Sequence, residues 1–98
     1  MAETVVVSGA TSGVGRAVAR AFARDGCRVA LLARGQDGLA GAARDVEQAG
    51  GRALALPTDI ADYAQVEAAA MAAEEALGEI DVWVNSAMTT VFAFFADI

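Results

Sequence analysis

The chain has 98 residues, enough for one small domain, and 56% of them are hydrophobic, with alanine about a quarter of the total; this composition suits a packed core and argues against disorder. The net charge is −6, arginine is the sole cationic residue and histidine is absent, which sets aside nucleic acid as a partner, His-based acid–base chemistry and most transition-metal sites, so no metal site is expected. No apolar run reaches the roughly 18–20 residues that span a bilayer, and the N-terminal MAETVVVSG lacks the positive region and cleavage site of a signal peptide, so a soluble cytoplasmic protein without membrane partners is expected.

The elements follow in alternation. Glu3 to Ser8 is a β-branched run that reads as a buried strand. Val14, Ala17, Val18, Ala21 and Phe22 then recur at helical spacing, and Asp25-Gly26 stops that helix. Cys27 is the single cysteine, so no intrachain disulfide can form and a buried, inert thiol is expected. Arg28 to Ala33 is a second buried strand. Leu39, Ala42, Ala43, Val46 and Ala49 mark a second amphipathic helix, closed by Gly50-Gly51. Arg52 to Leu56 is a third, short strand. Asp62 is placed as the N-cap of a third helix, with Gln65 three residues on completing a capping box. Val66, Ala70, Ala73 and Leu77 line one face of that helix and Gly78 ends it. Asp81 to Asn85, DVWVN, is a fourth strand.

Strands that are apolar throughout, each followed by a helix, predict an α/β fold with a parallel sheet covered on both faces. Right-handed crossovers make it doubly wound, with about four strands in the order 3-2-1-4 and three helices. No linker or repeat interrupts residues 1 to about 85.

The first strand runs into the first helix through SGATSGVG, residues 8 to 15. A helix N-terminus carries free N–H groups and about half a positive charge, so it attracts phosphate. Gly9 permits a tight turn, Gly13 lets a pyrophosphate approach the backbone, and Gly15 lets the helix pack on the sheet. Ser8, Thr11 and Ser12 add hydroxyls expected to be available to phosphate oxygens, and Val14 lies within the cradle. The spacing is G-x-x-x-G-x-G, which differs from the general G-x-G-x-x-G fingerprint, and no Gly-Lys-Ser/Thr follows to make a P-loop. Arg16, Arg20 and Arg24 stand at i, i+4, i+8 and read as a solvated face, with Arg16 alone near enough to the helix start to help a phosphate.

SGATSGVG resembles the glycine-rich motif of the short-chain dehydrogenase/reductase family, a Rossmann-fold family that uses NAD(H) or NADP(H). The end of the second strand, VALLARG, is similar to that of NADP-preferring members. The family's acid for a ribose 2′-hydroxyl falls at Ala33, which cannot accept a hydrogen bond, and Arg34 follows where a 2′-phosphate is held. In LPTDIAD, Asp59 and Ile60 match the residues that the family places beside the adenine. NSAM, residues 85 to 88, is similar to the family's Asn-Asn-Ala-Gly: Asn85 and Ala87 agree, while Ser86 and Met88 depart from it. The resemblance thus implies NADP as cofactor, with NAD the alternative, and Gly9, Thr11, Ser12, Gly13, Val14, Gly15, Arg34, Asp59, Ile60, Asn85 and Ala87 as its binding residues. Asn85 is expected to hydrogen-bond across the sheet and help hold the pocket.

The family's chemistry uses a Tyr-x-x-x-Lys pair, an upstream Ser and a further Asn, acting as general acid–base groups beside a hydride donor. The only tyrosine here is Tyr63, its i+4 partner is Glu67, and the chain contains no lysine. No catalytic residue is therefore assigned. The chain is expected to represent residues 1–98 of a truncated Rossmann domain that stops about where a second half begins, with 86–98 an apolar tail leading toward a missing fourth helix. The implied whole protein is an NADP(H)-dependent oxidoreductase of a small carbonyl or alcohol substrate, and these 98 residues alone are expected to be inactive. The alternative is a nucleotide-binding half domain without catalysis, self-associating through the open edge of DVWVN and through Val91, Phe92, Phe94, Phe95 and Ile98. A homo-oligomer is expected on that ground.

Overall fold

The computed structural model describes residues 3–86. Four strands and three helices alternate: β1 (Thr4–Ser8), α1 (Gly13–Arg24), β2 (Arg28–Ala33), α2 (Gln36–Ala49), β3 (Arg52–Pro57), α3 (Tyr63–Leu77) and β4 (Val82–Asn85). The strands form one parallel sheet in the order β3-β2-β1-β4. This is the architecture and strand order expected from the sequence.

Register sets which side chains meet. Val5, Val29 and Val82 lie abreast, as do Val6, Ala30 and Trp83. Successive residues point to opposite faces. Val5, Val7, Val29 and Leu31 therefore join Ala19 and Ala23 of α1 and Leu39, Ala42 and Val46 of α2 in one core. Val6, Ala30 and Leu32 meet Ala69, Ala73 and Leu77 of α3 in the other, with Leu54, Leu56, Ile80 and Trp83 at its margin. Cys27 is buried in the first core, as expected.

Strand ends shift by a residue from the expected bounds. Glu3 lies outside β1, although its carbonyl accepts from Arg28 N at 2.8 Å. Asp81 precedes β4; its Oδ2 accepts from Thr4 N at 2.9 Å while its own N–H donates to Thr4 O. β3 runs on to Pro57, which pairs with Ala33. β3 is an edge strand among the described residues, so a proline without an N–H breaks no ladder there.

Two helices seat themselves differently from the bulky-residue pattern. In α1 the buried line is Gly15, Ala19 and Ala23; Val18 and Phe22 are only half-buried, and Val14, Ala17 and Ala21 are exposed. In α3 the buried line is Ala69, Ala73 and Leu77, with Val66 and Ala70 half-buried. Close approach is the cause. A helix that comes this near the sheet favours glycine and alanine along the contact line, as all through α1 and at Ala69 and Ala73 of α3, while Leu77 fits at the end of α3 and other larger side chains flank the line.

Of the arginine stripe of α1, Arg24 is exposed as expected, but Arg16 and Arg20 differ from expectation. Arg16 bonds to Asp45 of α2 through both Nε and Nη2, and Arg20 Nη1 lies 3.3 Å from the same carboxylate oxygen. The pair cross-links the two helices instead of waiting in solvent, and Arg16 is turned to α2 and not to the phosphate cradle. Beside Asp45, the hydrogen bond from Arg16 is the main cause that holds its carboxyl below the ordinary value of 3.8, with Arg20 adding to it against the effect of burial.

Candidate functional site

The carboxyl ends of β1, β2 and β3 open into a cleft of about 490 Å³, lined by Gly9, Thr11, Ala33, Arg34, Gly35, Thr58, Asp59, Ile60 and Ala61. That volume falls within the roughly 300–1,000 Å³ common for small-molecule sites. Its place, outside the carboxyl ends of a parallel sheet, is where open α/β folds bind ligands.

The turn from β1 to α1 forms one wall. Gly9 has φ 73°, a left-handed value that favours glycine. Its N–H and that of Ala10 both donate to Leu32 O, at 2.9 and 3.1 Å, so the turn is pinned to the end of β2. Ser12 caps α1: its Oγ accepts from Gly15 N at 3.0 Å and donates to Gly9 O at 3.0 Å. Its own N–H donates to Gly9 O. The first turn of a helix has no intrahelical acceptors for its N–H groups. With Ser12 and Gly15 satisfied in this way, Gly13 and Val14 are the two first-turn positions left to face a ligand. Both are exposed, and a Cβ built at Gly13 would meet nothing within 4 Å.

Gly15 is under a different constraint. A Cβ there would lie 2.1 Å from Gly9 O, 2.8 Å from Ser86 Oγ and 3.0 Å from Ala10 Cα. The helix start is thus pressed onto the turn and onto the end of β4. Ser86 donates through Oγ toward Ser8 O (2.7 Å) and Gly9 O (3.2 Å), and through N to Ser8 O (3.0 Å). It stitches β4 to the turn, a role no spacing in the sequence announced.

Ser8 is not available to a phosphate, contrary to the sequence expectation. It is 3% exposed, and its Oγ lies 3.1 Å from Asn85 Oδ1 and 3.4 Å from the Val84 carbonyl. The reason is strand alternation, which puts Ser8 on the same face as Val6, where its register partner Asn85 of β4 stands beside it. Asn85 does reach across the sheet, to Ser8, and it does not line the cleft. Thr11 lines the cleft and packs its methyl group against Gly38, where an added Cβ would come within 2.9 Å of Thr11 Cγ2.

The opposite wall comes from the loops after β2 and β3. Ala33 is 8% exposed and presents no polar side-chain atom, while Arg34 beside it has 78% of its side chain exposed. Asp59 is held on three sides: its N–H donates to Gln65 Oε1 (2.8 Å), its Oδ1 accepts from Ala61 N (3.0 Å), and its carbonyl accepts from Asp62 N (2.9 Å). The capping box is therefore rearranged. Asp62 Oδ1 accepts from Ala64 and Gln65 N, as an N-cap should, but the Gln65 side chain serves Asp59 N and Asp62 Oδ2. The remaining oxygen of Asp59, Oδ2, stands 3.9 Å from Arg34 Nη1. Ile60, next along, is 37% exposed and lines the cleft.

Of the expected binding residues, Gly9, Thr11, Arg34, Asp59 and Ile60 meet in one cleft, and Ser12, Gly13, Val14 and Gly15 form the helix start beside it. Ala87 lies outside the described residues, as do Met88 and the apolar tail. Gly35, Thr58 and Ala61 were not anticipated. Thr58 is 3% exposed; its N–H donates to Ala33 O and its Oγ1 to Leu56 O. The signal for it was its place directly after β3. Gly35 is the N-cap of α2 without a side-chain acceptor, a role a glycine after Arg34 could have suggested.

The arrangement suits a nucleotide phosphate ester: two open first-turn N–H groups at one end, an exposed guanidinium loosely paired with Asp59 at the other, and apolar residues between them. Among the described residues no group of His, Cys, Asp or Glu is placed to hold a metal ion, and no helix is long and apolar enough to cross a membrane.

The sequence and the fold both match known proteins. The family model for short chain dehydrogenase matches residues 3–98. The L-rhamnose 1-dehydrogenase (NAD(P)(+)) of Azotobacter vinelandii is 44% identical over 100 residues, covering 98% of this chain and 39% of that protein. Ketoacyl reductase HetN of Nostoc is 37% identical, covering 97% of this chain and 33% of its own length. L-sorbose reductase from Gluconobacter frateurii, solved with NADPH and L-sorbose, superposes with a TM-score of 0.83 at 36% identity, over 90% of this chain and 34% of the reductase. The chain thus spans about a third of the length of the relatives it matches. On the matched sequence and the shared fold together, it belongs to the short-chain dehydrogenase family.

Proposed function

We propose that this chain is the nucleotide-binding part of an oxidoreductase that uses NADP(H) to interconvert a small carbonyl compound and its alcohol. The observation that carries the reading is the pairing of Ala33, apolar at the point where an acid would take a ribose 2′-hydroxyl, with an exposed Arg34 on the rim of the same cleft. Gly13 and Val14 would take the pyrophosphate, Arg34 the 2′-phosphate, and Asp59 and Ile60 would flank the adenine. The cofactor itself would supply the hydride. Ala87 completes the set by resemblance. A relative named for NAD(P)(+) and a structural neighbour holding NADPH support a nicotinamide cofactor and keep NAD as the alternative.

Residues 1–98 would bind without turning over, since they contain no lysine and Tyr63 lies in the first turn of α3 with 77% exposure. The cytoplasmic setting expected from the sequence is part of the same reading. The test is separate titration of NADPH and NADH. Tighter binding of NADPH, reversed by Arg34→Asp, is expected. Equal affinity for both, unchanged by that substitution, would refute the role of Arg34, and carbonyl-dependent NADPH oxidation by these residues would refute their inactivity.

A second reading rests on β4. Among the described residues it pairs only with β1, and Val82, Trp83 and Val84 remain half-buried. An open strand edge of this kind invites pairing, so the alternative is a half domain that self-associates there and through the apolar tail. A monomeric mass in light scattering would count against it.

A further inference from the structure

Resting on the nucleotide reading above, we propose that Asp59 is a counterweight to Arg34: its carboxylate stands opposite the guanidinium across the cleft and opposes a phosphate there, which keeps selectivity for NADP over NAD moderate. Selectivity is then set by the Arg34–Asp59 pair and not by Arg34 alone.

The geometry carries this in three steps. First, the carboxylate is fixed. The bonds from Ala61 N to Oδ1 and from Asp59 N to Gln65 Oε1 leave Oδ2 as the oxygen directed at Arg34. Gln65 is itself held by Asp62, so the charge cannot easily withdraw when a ligand enters.

Second, the contact is loose. At 3.9 Å it is too long for a hydrogen bond, and the Arg34 side chain is 78% exposed. A pair of this kind contributes little to stability and can exchange partners readily. A phosphate ester that reaches Arg34 arrives as a doubly charged group within a few ångströms of a fixed like charge.

Third, the penalty is selective. A ligand with a 2′-hydroxyl brings no charge to this rim, so Asp59 does not repel it. Any contact between Asp59 and the base is common to both nucleotides and cancels in the ratio of their affinities.

The experiment uses adenosine 2′,5′-bisphosphate and adenosine 5′-monophosphate as probes, titrated calorimetrically into the chain. Asp59→Asn removes the charge and keeps an oxygen for the Ala61 N–H. The ratio of bisphosphate to monophosphate affinity is expected to rise about threefold to tenfold, the size appropriate to one partly exposed charge near another. The gain should shrink as salt is raised. Asp59→Ser, which keeps a hydroxyl acceptor in the turn, should raise the ratio alike and serves if the first variant does not fold. Asp59→Glu, still charged, should stay near the parent. If Asp59→Asn binds both probes more weakly by the same factor, or leaves the ratio unchanged while the parent binds both, the counterweight is refuted and the nucleotide reading stands. If the parent binds neither probe, the nucleotide reading fails and takes this inference with it.

Discussion

Two glycines two residues apart, Gly13 and Gly15, should respond oppositely to the same added methyl group. At Gly15 the new carbon would sit 2.1 Å from the carbonyl oxygen of Gly9 and 3.0 Å from Ala10 Cα. Both obstacles are backbone, so relief requires the start of α1 to move by about 1.4 Å, given the ordinary contact distance of roughly 3.5 Å. Alanine is favoured over glycine inside a helix by up to about 1 kcal/mol. Overpacking into a fixed backbone costs typically about 1–3 kcal/mol. The position lies in the first turn, where the helical gain is smaller, so Gly15→Ala should be destabilising by roughly 1–2 kcal/mol. For a domain of this size that corresponds to a fall in Tm of about 4–16 °C. At Gly13 nothing lies within 4 Å of the added carbon, so Gly13→Ala should fold at least as well as the parent. Its methyl group would instead stand beside the open N–H groups and weaken nucleotide binding. Thermal unfolding followed by circular dichroism, with titration of NADPH on each folded variant, separates the two effects. A Gly15→Ala chain as stable as the parent would refute the close-packing argument. A Gly13→Ala chain that binds NADPH unchanged would refute the assignment of the helix start to phosphate.

Asp45→Asn tests the cross-link between α1 and α2. Because hydrogen bonding from Arg16 lowers the folded-state pKa of Asp45 below 3.8, its contribution to stability is fully present above that pH and is lost as the pH falls through the lowered value. The parent should therefore resist urea better than the variant at pH 7, with the gap closing below about pH 4; a gap that is constant with pH would exclude the ion pair as its source. Ser8→Ala should cost about 0.5–1.5 kcal/mol, since it removes the hydroxyl that Asn85 Oδ1 accepts from, yet leave NADPH affinity nearly unchanged. Loss of binding without loss of stability would return Ser8 to the phosphate site.

Much of the fold was legible because burial on both faces of a parallel sheet writes itself as uninterrupted apolar runs, and Val5–Val7 and Val29–Leu32 are such runs. The helix ends were legible for a local reason too: Asp62 caps α3 through one carboxylate oxygen, Oδ1, close in the chain to the Ala64 and Gln65 N–H groups it accepts from. The glycine cluster pointed to the cradle because backbone that must turn sharply or lie close to a neighbour requires it, at Gly9 and Gly15 respectively.

What the sequence could not decide is which partner each polar group takes. Ser8 and Ser12 sit four residues apart in one motif, yet one bonds inward to Asn85 and the other caps a helix. Arg16 and Arg34 both stand near a phosphate in the sequence reading; one is bound to Asp45 and the other faces a cleft opposite Asp59. Nor did apolar spacing find the contact line of α1: it marks Val14, Ala17, Val18, Ala21 and Phe22, whereas Gly15, Ala19 and Ala23 are buried, and of these only Gly15 is expected against the sheet. Strand, helix and turn follow from preferences that act over a few residues, so one chain segment suffices to read them. Pairing between groups 25 or 77 positions apart follows from how close the packed layers come, and that distance exists only once the sheet and its helices have assembled.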